Sequence, residues 1–137
     1  MVSPSLWAQA QDFPARKNIT LIVPYSAGAT DTTARMFVPY FSEKLGQKVV
    51  VENVPGASGN LGYAAGMRAA PDGYTIVFAV QGLASNPALF GDAPYDPVKS
   101  FVPVTVVANL HRSDRSHSAS SQELAVLVQR HLYLLKR

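Results

Sequence analysis

Ile19-Thr20-Leu21-Ile22-Val23-Pro24-Tyr25-Ser26-Ala27-Gly28-Ala29-Thr30-Asp31 is the stretch that decides the fold. Its first five residues are uncharged and mostly β-branched, as in a strand buried on both faces, and a turn of small residues follows. Beyond the turn, Ala34, Phe37, Val38, Phe41 and Leu45 recur with helical periodicity, which predicts a helix over 31–45. Thr30 or Asp31 is the expected amino-terminal cap and Gly46 the stop signal; Pro39 is expected to bend or shorten the helix. Asp31 reads as a cap before it reads as a contact to ligand or water. A strand that turns directly into a helix places amides without intrahelical partners at the positive end of a helix dipole. Such a turn attracts phosphate or carboxylate without any cationic side chain.

Working outward, the same order repeats. A second valine-rich strand is predicted over 48–52, a loop over 55–59, a helix over 61–70 and, after Pro71-Asp72-Gly73, a strand over 75–80. A short helix or turn at 87–90, a polar turn at Tyr95-Asp96-Pro97 and a last strand over 102–107 complete the pattern. Alternating strands and helices predict an α/β fold with a mostly parallel sheet, whose ligands gather at the carboxyl ends of the strands. Two uncharged loops stand at that edge: residues 25–31, and Gln81-Gly82-Leu83-Ala84-Ser85.

With 137 residues, 47% hydrophobic and 15% charged, the chain has the composition of a globular domain able to bury a core. No cysteine is present, so disulfides are excluded. No run approaches the roughly 18 consecutive apolar residues of a membrane span. The net charge of +3 is modest, and Arg112, Arg115, Arg130, Lys136 and Arg137 cluster near the end rather than along a face; nucleic acid is not an expected partner. At the other end, Leu6-Trp7-Ala8-Gln9-Ala10 has the Ala-x-Ala pattern of a signal-peptide cleavage site. Residues 1–10 therefore read as the remnant of an export signal.

A series of short motifs carries a resemblance. Ile19-Thr20-Leu21-Ile22-Val23-Pro24, Thr30-Asp31 with Ala34-Arg35, Leu45-Gly46-Gln47, Val49-Val50-Val51-Glu52-Asn53, Pro55-Gly56-Ala57-Ser58-Gly59-Asn60, Ala70-Pro71-Asp72-Gly73-Tyr74-Thr75, Asn86-Pro87-Ala88-Leu89-Phe90 and Tyr95-Asp96-Pro97-Val98 stand in one order. In that order they resemble the amino-terminal part of the tripartite tricarboxylate transporter receptors, the Bug (TctC) family of periplasmic solute-binding proteins. The resemblance implies a periplasmic-binding-protein-like fold of two lobes, of which residues 11–108 would form an incomplete first lobe. It further implies a periplasmic receptor that presents a small dicarboxylate or tricarboxylate to membrane transporter subunits, without catalysis, cofactor or metal.

The resemblance also implies where the acid sits: the first loop and a neighbouring strand-end loop hold a carboxylate through backbone amides, hydroxyls and bridging waters. In this sequence the candidate ligand residues are Tyr25, Ser26, Ala27, Gly28, Ala29, Thr30, Asp31, Gln81, Gly82 and Ser85. Ser26 and Thr30 are the expected hydroxyl donors, and Gly28 is expected to let the backbone approach closely. The chain departs from the family pattern in both loops. A lone Gly28 stands where the family usually has paired glycines and one more residue, and Gln81-Gly82 stand where small hydroxyl residues are commoner.

After Ala108 the resemblance fades. Residues 109–117 are polar and are not expected to enter a sheet, whereas Leu124, Leu127, Val128 and Leu135 suggest the apolar face of a helix. Residues 109–137 thus read as a divergent tail, with a disrupted reading frame as one explanation and a truncated, impaired receptor or an inactive remnant as the consequence. Other features have structural readings. Pro24-Tyr25-Ser26-Ala27-Gly28 nearly matches the nucleophile elbow of a serine hydrolase, but its first position is proline and all three histidines, His111, His117 and His131, fall in the tail. Residues 55–60 lack the Gly-Lys-Ser/Thr ending of a phosphate loop and read as a strand-to-helix turn.

Overall fold

The computed structural model describes residues 13–112 and 120–129, so the proposed signal remnant, residues 1–10, lies outside the described residues, as do 113–119 and 130–137. In chain order the elements are β1 (Ile19–Val23), α1 (Ala29–Leu45), β2 (Val49–Asn53), a 3-10 turn (Ala57–Gly59), α2 (Asn60–Arg68), β3 (Thr75–Ala79), α3 (Gly82–Phe90), β4 (Phe101–Arg112) and β5 (Ser120–Gln129). They build one sheet in the order β2-β1-β3-β5-β4. β1 lies parallel to both neighbours, with Ile19 opposite Val49 and Thr20 opposite Thr75.

β1 is apolar at four of its five positions because both of its faces are covered. Ile19, Leu21 and Val23 join Ala34, Val49, Tyr74 and Phe78 on one side, where Phe37, Val38, Phe41 and Leu45 of α1 pack. Ile22 joins Tyr63, Val77, Ala79, Leu83, Tyr95 and Phe101 on the other. α2 lies very close to the sheet: a Cβ at Gly62 would come within 2.6 Å of Pro24 Cα and 2.8 Å of the Val54 carbonyl, and one at Gly66 within 2.2 Å of Val77 Cγ2. These two glycines, one helical turn apart, bring the floor of the strand-end loops against the helix.

Five sequence expectations change. α1 runs unbroken for 17 residues through Pro39. Arg35, whose carbonyl loses its helical donor at Pro39, and Pro39 itself are both exposed, so the missing bond falls on the outer side of the helix. The span 82–85, expected as loop, is the first turn of α3. The last strands do not extend the parallel order: β5 inserts antiparallel between β3 and β4, pairing Val77 with Leu127 and Val102 with Val128. Residues 109–112, not expected to enter a sheet, nevertheless belong to β4, the edge strand, whose backbone pairs with β5. Gln122-Glu123-Leu124, expected to start a helix, lies in β5 (Ser120–Gln129); a short apolar run fits either element by pattern, and pairing on both sides decides for strand.

Candidate functional site

The carboxyl ends of β1, β2 and β3 share one rim, and three connections rise from it. The first, residues 24–28, has Ser26, Ala27 and Gly28 exposed, with Ala29 exposed at the start of α1. Its helix begins with the bond from Thr32 N–H to the Gly28 carbonyl at 2.8 Å, so the amides of Ala29, Thr30 and Asp31 precede the intrahelical ladder. Gly28 has φ 171°, an extended conformation, and a Cβ there would meet nothing nearer than the Ser26 carbonyl at 3.8 Å. Among the described residues nothing crowds this position. Thr30 is half-buried in the same turn.

Asp31 is not the cap. Gly28 holds the cap position and no side chain bonds there. Instead the buried Asp31 carboxylate receives Arg35 Nε on both oxygens, at 3.0 and 2.9 Å, and Asn53 Nδ2 on one, at 2.9 Å. The Arg35 hydrogen bond, followed by that of Asn53, holds its pKa below the ordinary 3.8 against the opposing effect of burial. Asn53 also donates 2.9 Å to the Tyr25 carbonyl and accepts from Arg35 Nη2 at 3.1 Å. Asp31 therefore ties the first turn of α1 to the end of β2. Its charge is matched by Arg35, so it does not leave an unpaired negative charge beside the exposed amides.

The β3 connection is arranged otherwise. Leu83 N–H bonds the Val80 carbonyl at 2.9 Å, and Ala84 and Ser85 N–H bond the Gln81 carbonyl at 3.0 and 3.1 Å. The Ser85 hydroxyl donates to that same carbonyl at 3.2 Å. What this turn presents is the exposed Gln81 and the half-buried Gly82. The two turns nevertheless meet. A Cβ on Gly82 would lie 2.6 Å from Tyr25 Oη, and one on Gly59 would lie 3.1 Å from the same atom, so the Tyr25 ring rests across two glycine positions between the neighbouring loops.

The β2 connection was legible only as a turn, and it is one, with positive φ at Ala57 (47°) and Ser58 (56°). Behind it lies a polar cluster that the pattern of residues did not disclose. Asn86 Nδ2 donates to the Ser58 carbonyl at 2.9 Å and to Asn60 Oδ1 at 2.7 Å, and the Tyr95 hydroxyl donates to Asn60 Oδ1 at 3.1 Å. All three side chains are buried. Tyr63, fully buried, accepts from Val80 N–H at 3.4 Å. Burial, reinforced by the neighbouring Tyr25 hydroxyl, pushes the Tyr63 phenol pKa up; burial also raises that of Tyr95 against the Asn86 hydrogen bond. These phenols stay neutral and act as dipoles. Asn60, Asn86 and Tyr95 each stand in a motif that carries the resemblance, but nothing in their spacing announced that they meet.

A groove of about 340 Å³ between α1 and the edge of β2, lined by Arg35, Val38, Pro39 and Lys48 to Val51, lies apart from the three connections. Among the described residues no group of His, Cys, Asp and Glu is suited to a metal ion, and no helix is long and apolar enough to cross a membrane.

In fold this α/β chain is similar to solved periplasmic proteins, among them the periplasmic binding protein BugD, at TM-score 0.66 and 37% identity over 69% of this chain and 32% of that one. Residues 33–120 match the family described as the tripartite tricarboxylate transporter family receptor, and the chain belongs to that family. Protein BugT of Bordetella pertussis is 38% identical over 104 residues, covering 74% of this chain and 32% of that protein. MatC of Rhodopseudomonas palustris, solved with bound malate, matches at TM-score 0.69 and 36% identity over 72% of this chain and 34% of that one. A further R. palustris protein, solved with adipate, matches at TM-score 0.69 and 34% identity over 73% and 34%. The chain spans about a third of the length of these relatives.

Proposed function

We propose that this chain forms one wall of a small-carboxylate site in a periplasmic receptor that serves a tripartite tricarboxylate transporter. The observation that carries the reading is the exposed, uncharged amino terminus of α1, with the amides of Ala29, Thr30 and Asp31 ahead of the helical ladder and Asp31 already paired. A carboxylate there gains charge-assisted bonds from several N–H groups without displacing any existing one. Tyr25, Ser26, Ala27, Gly28 and Thr30 complete this wall, and Gln81 and Gly82 face it; Ser85 is left to its own helix. Malate and adipate in the structural neighbours support the same ligand class, a di- or tricarboxylate. The role is binding and delivery rather than catalysis, so transporter subunits are the partners.

The test is a titration of isotope-labelled protein with malate, adipate and citrate, followed by amide resonances. Saturable shifts centred on residues 26–31 are expected, with affinity in the millimolar range, since a carboxylate held by one wall gains few of the contacts that closure around a ligand supplies. Shifts absent from these residues, or spread evenly over the surface, would overturn the reading.

A further inference from the structure

We propose that the Tyr25 hydroxyl donates directly to the bound acid, and that Asn86 is the positioning residue that leaves it available to do so. The inference rests on the carboxylate site above and adds to it a side-chain donor at its centre.

The ring of Tyr25 lies where the connections from all three parallel strands meet. Its hydroxyl sits beside Gly59 and Gly82, either of which would collide with it if a Cβ were present at the 3.1 or 2.6 Å found. The Tyr25 O–H donates to the Ser58 carbonyl at 3.4 Å, a long bond between neutral groups on the exposed side, and the same hydroxyl is a hydrogen-bond neighbour of the Tyr63 phenol. That carbonyl already has a better donor: Asn86 Nδ2 at 2.9 Å. Asn86 is only 3% exposed and is itself held by Asn60, which is held in turn by Tyr95. The arrangement keeps Ser58 at φ 56° and Ala57 at φ 47°, conformations that non-glycine residues hold only when their surroundings impose them.

The consequence is an exchange with little loss. When the Tyr25 O–H turns from Ser58 to a carboxylate oxygen, the Ser58 carbonyl stays bonded to Asn86, and a weak neutral contact is replaced by a charge-assisted bond. Without Asn86, Tyr25 would be the sole side-chain donor among the described residues to the carbonyl of the exposed Ser58, and turning away would break that bond with no second side-chain donor in place. Asn86 thus acts on the acid through Tyr25, not by touching it.

The experiment follows the Cζ resonances of tyrosine-labelled full-length chain during malate titration, beside the amides of residues 26–31, with Tyr25 assigned from the signal lost in Tyr25→Phe. The Tyr25 Cζ signal is expected to move saturably with the amides, and Tyr25→Phe to weaken malate binding about tenfold. Asn86→Ala should abolish the Cζ response and weaken binding in the wild-type background, yet weaken it no further in the Tyr25→Phe background. Amide shifts with a stationary Tyr25 Cζ signal would overturn the donor role while leaving the carboxylate site standing; no shift at either would overturn both. Additive losses in the double variant would overturn the role of Asn86. If Asn86→Ala does not fold, the wild-type Cζ response and the Tyr25→Phe affinity still decide the donor.

Discussion

α1 and α3 both begin where a parallel strand ends, and both point a helix amino terminus at the same rim, but their first turns are used differently. Five residues, 24–28, separate β1 from α1, whereas only Val80 and Gln81 separate β3 from α3. The longer connection leaves the amides of Ala29 to Asp31 ahead of the helical ladder, which begins at Thr32. The shorter one folds onto itself, and Leu83, Ala84 and Ser85 bond the carbonyls of Val80 and Gln81. The two helix dipoles have the same sense. What distinguishes the two helix starts is whether the connection leaves the first-turn donors unoccupied.

The largest test removes the support common to both turns. Gly62→Val would drive a side chain into Pro24 and the Val54 carbonyl, both part of the rim's floor. It should destabilise the chain by about 1–3 kcal/mol or more, since the obstacle is backbone and cannot rotate aside. Urea denaturation measures this, and an unchanged midpoint would show that α2 does not fix the rim.

Next in size, Ala29→Pro deletes one donor at the first helical position, where proline is well tolerated, and Gly28 before it is already extended. Malate affinity is expected to fall about tenfold, or about 1.4 kcal/mol, with thermal stability nearly unchanged. Calorimetry beside thermal melts separates the two quantities; undiminished affinity would detach the acid from α1.

Asp31 sharpens the comparison through pH. Because its folded pKa lies below 3.8, its pairing with Arg35 and Asn53 contributes stability that is in place above that value and is lost as pH falls through the depressed folded pKa. Asp31→Asn should therefore be less stable at neutral pH and lose less than the native chain on acidification below about pH 4. Parallel acid-side curves for the two proteins would contradict the assignment. The smallest effect belongs to the β3 turn: Ser85→Ala, whose hydroxyl serves only the Gln81 carbonyl, should alter malate affinity by less than about twofold.

Much of this difference was present in the residues. The bounds of β1 and the start of the first loop were readable because burial on both faces demands an uninterrupted apolar run, and the helical period of Ala34 to Leu45 located α1. The β3 turn was misread because Gly82, Ser85, Asn86 and Pro87 are poor helix formers. In the fold, burial of Leu83 against Tyr63 and of Asn86 against Asn60 outweighs that preference. Asp31 was misread as a cap for a related reason. Its actual partner Asn53 lies 22 residues away, and no local pattern can announce that contact. β5 shows the same limit at the level of an element, since its slot exists only once β3 and β4 stand on either side of it.

The residues by themselves determined the family, the strand-helix order up to β4 and an uncharged turn between β1 and α1, because periodicity and turn chemistry are local properties of the chain. Only the tertiary structure decided which turn keeps its donors available, that β5 completes the sheet, and that Tyr25, Ser58 and Asn86 meet at one point. Those outcomes depend on contacts between residues tens of positions apart, whose free energy arises only when packing brings them within hydrogen-bonding distance.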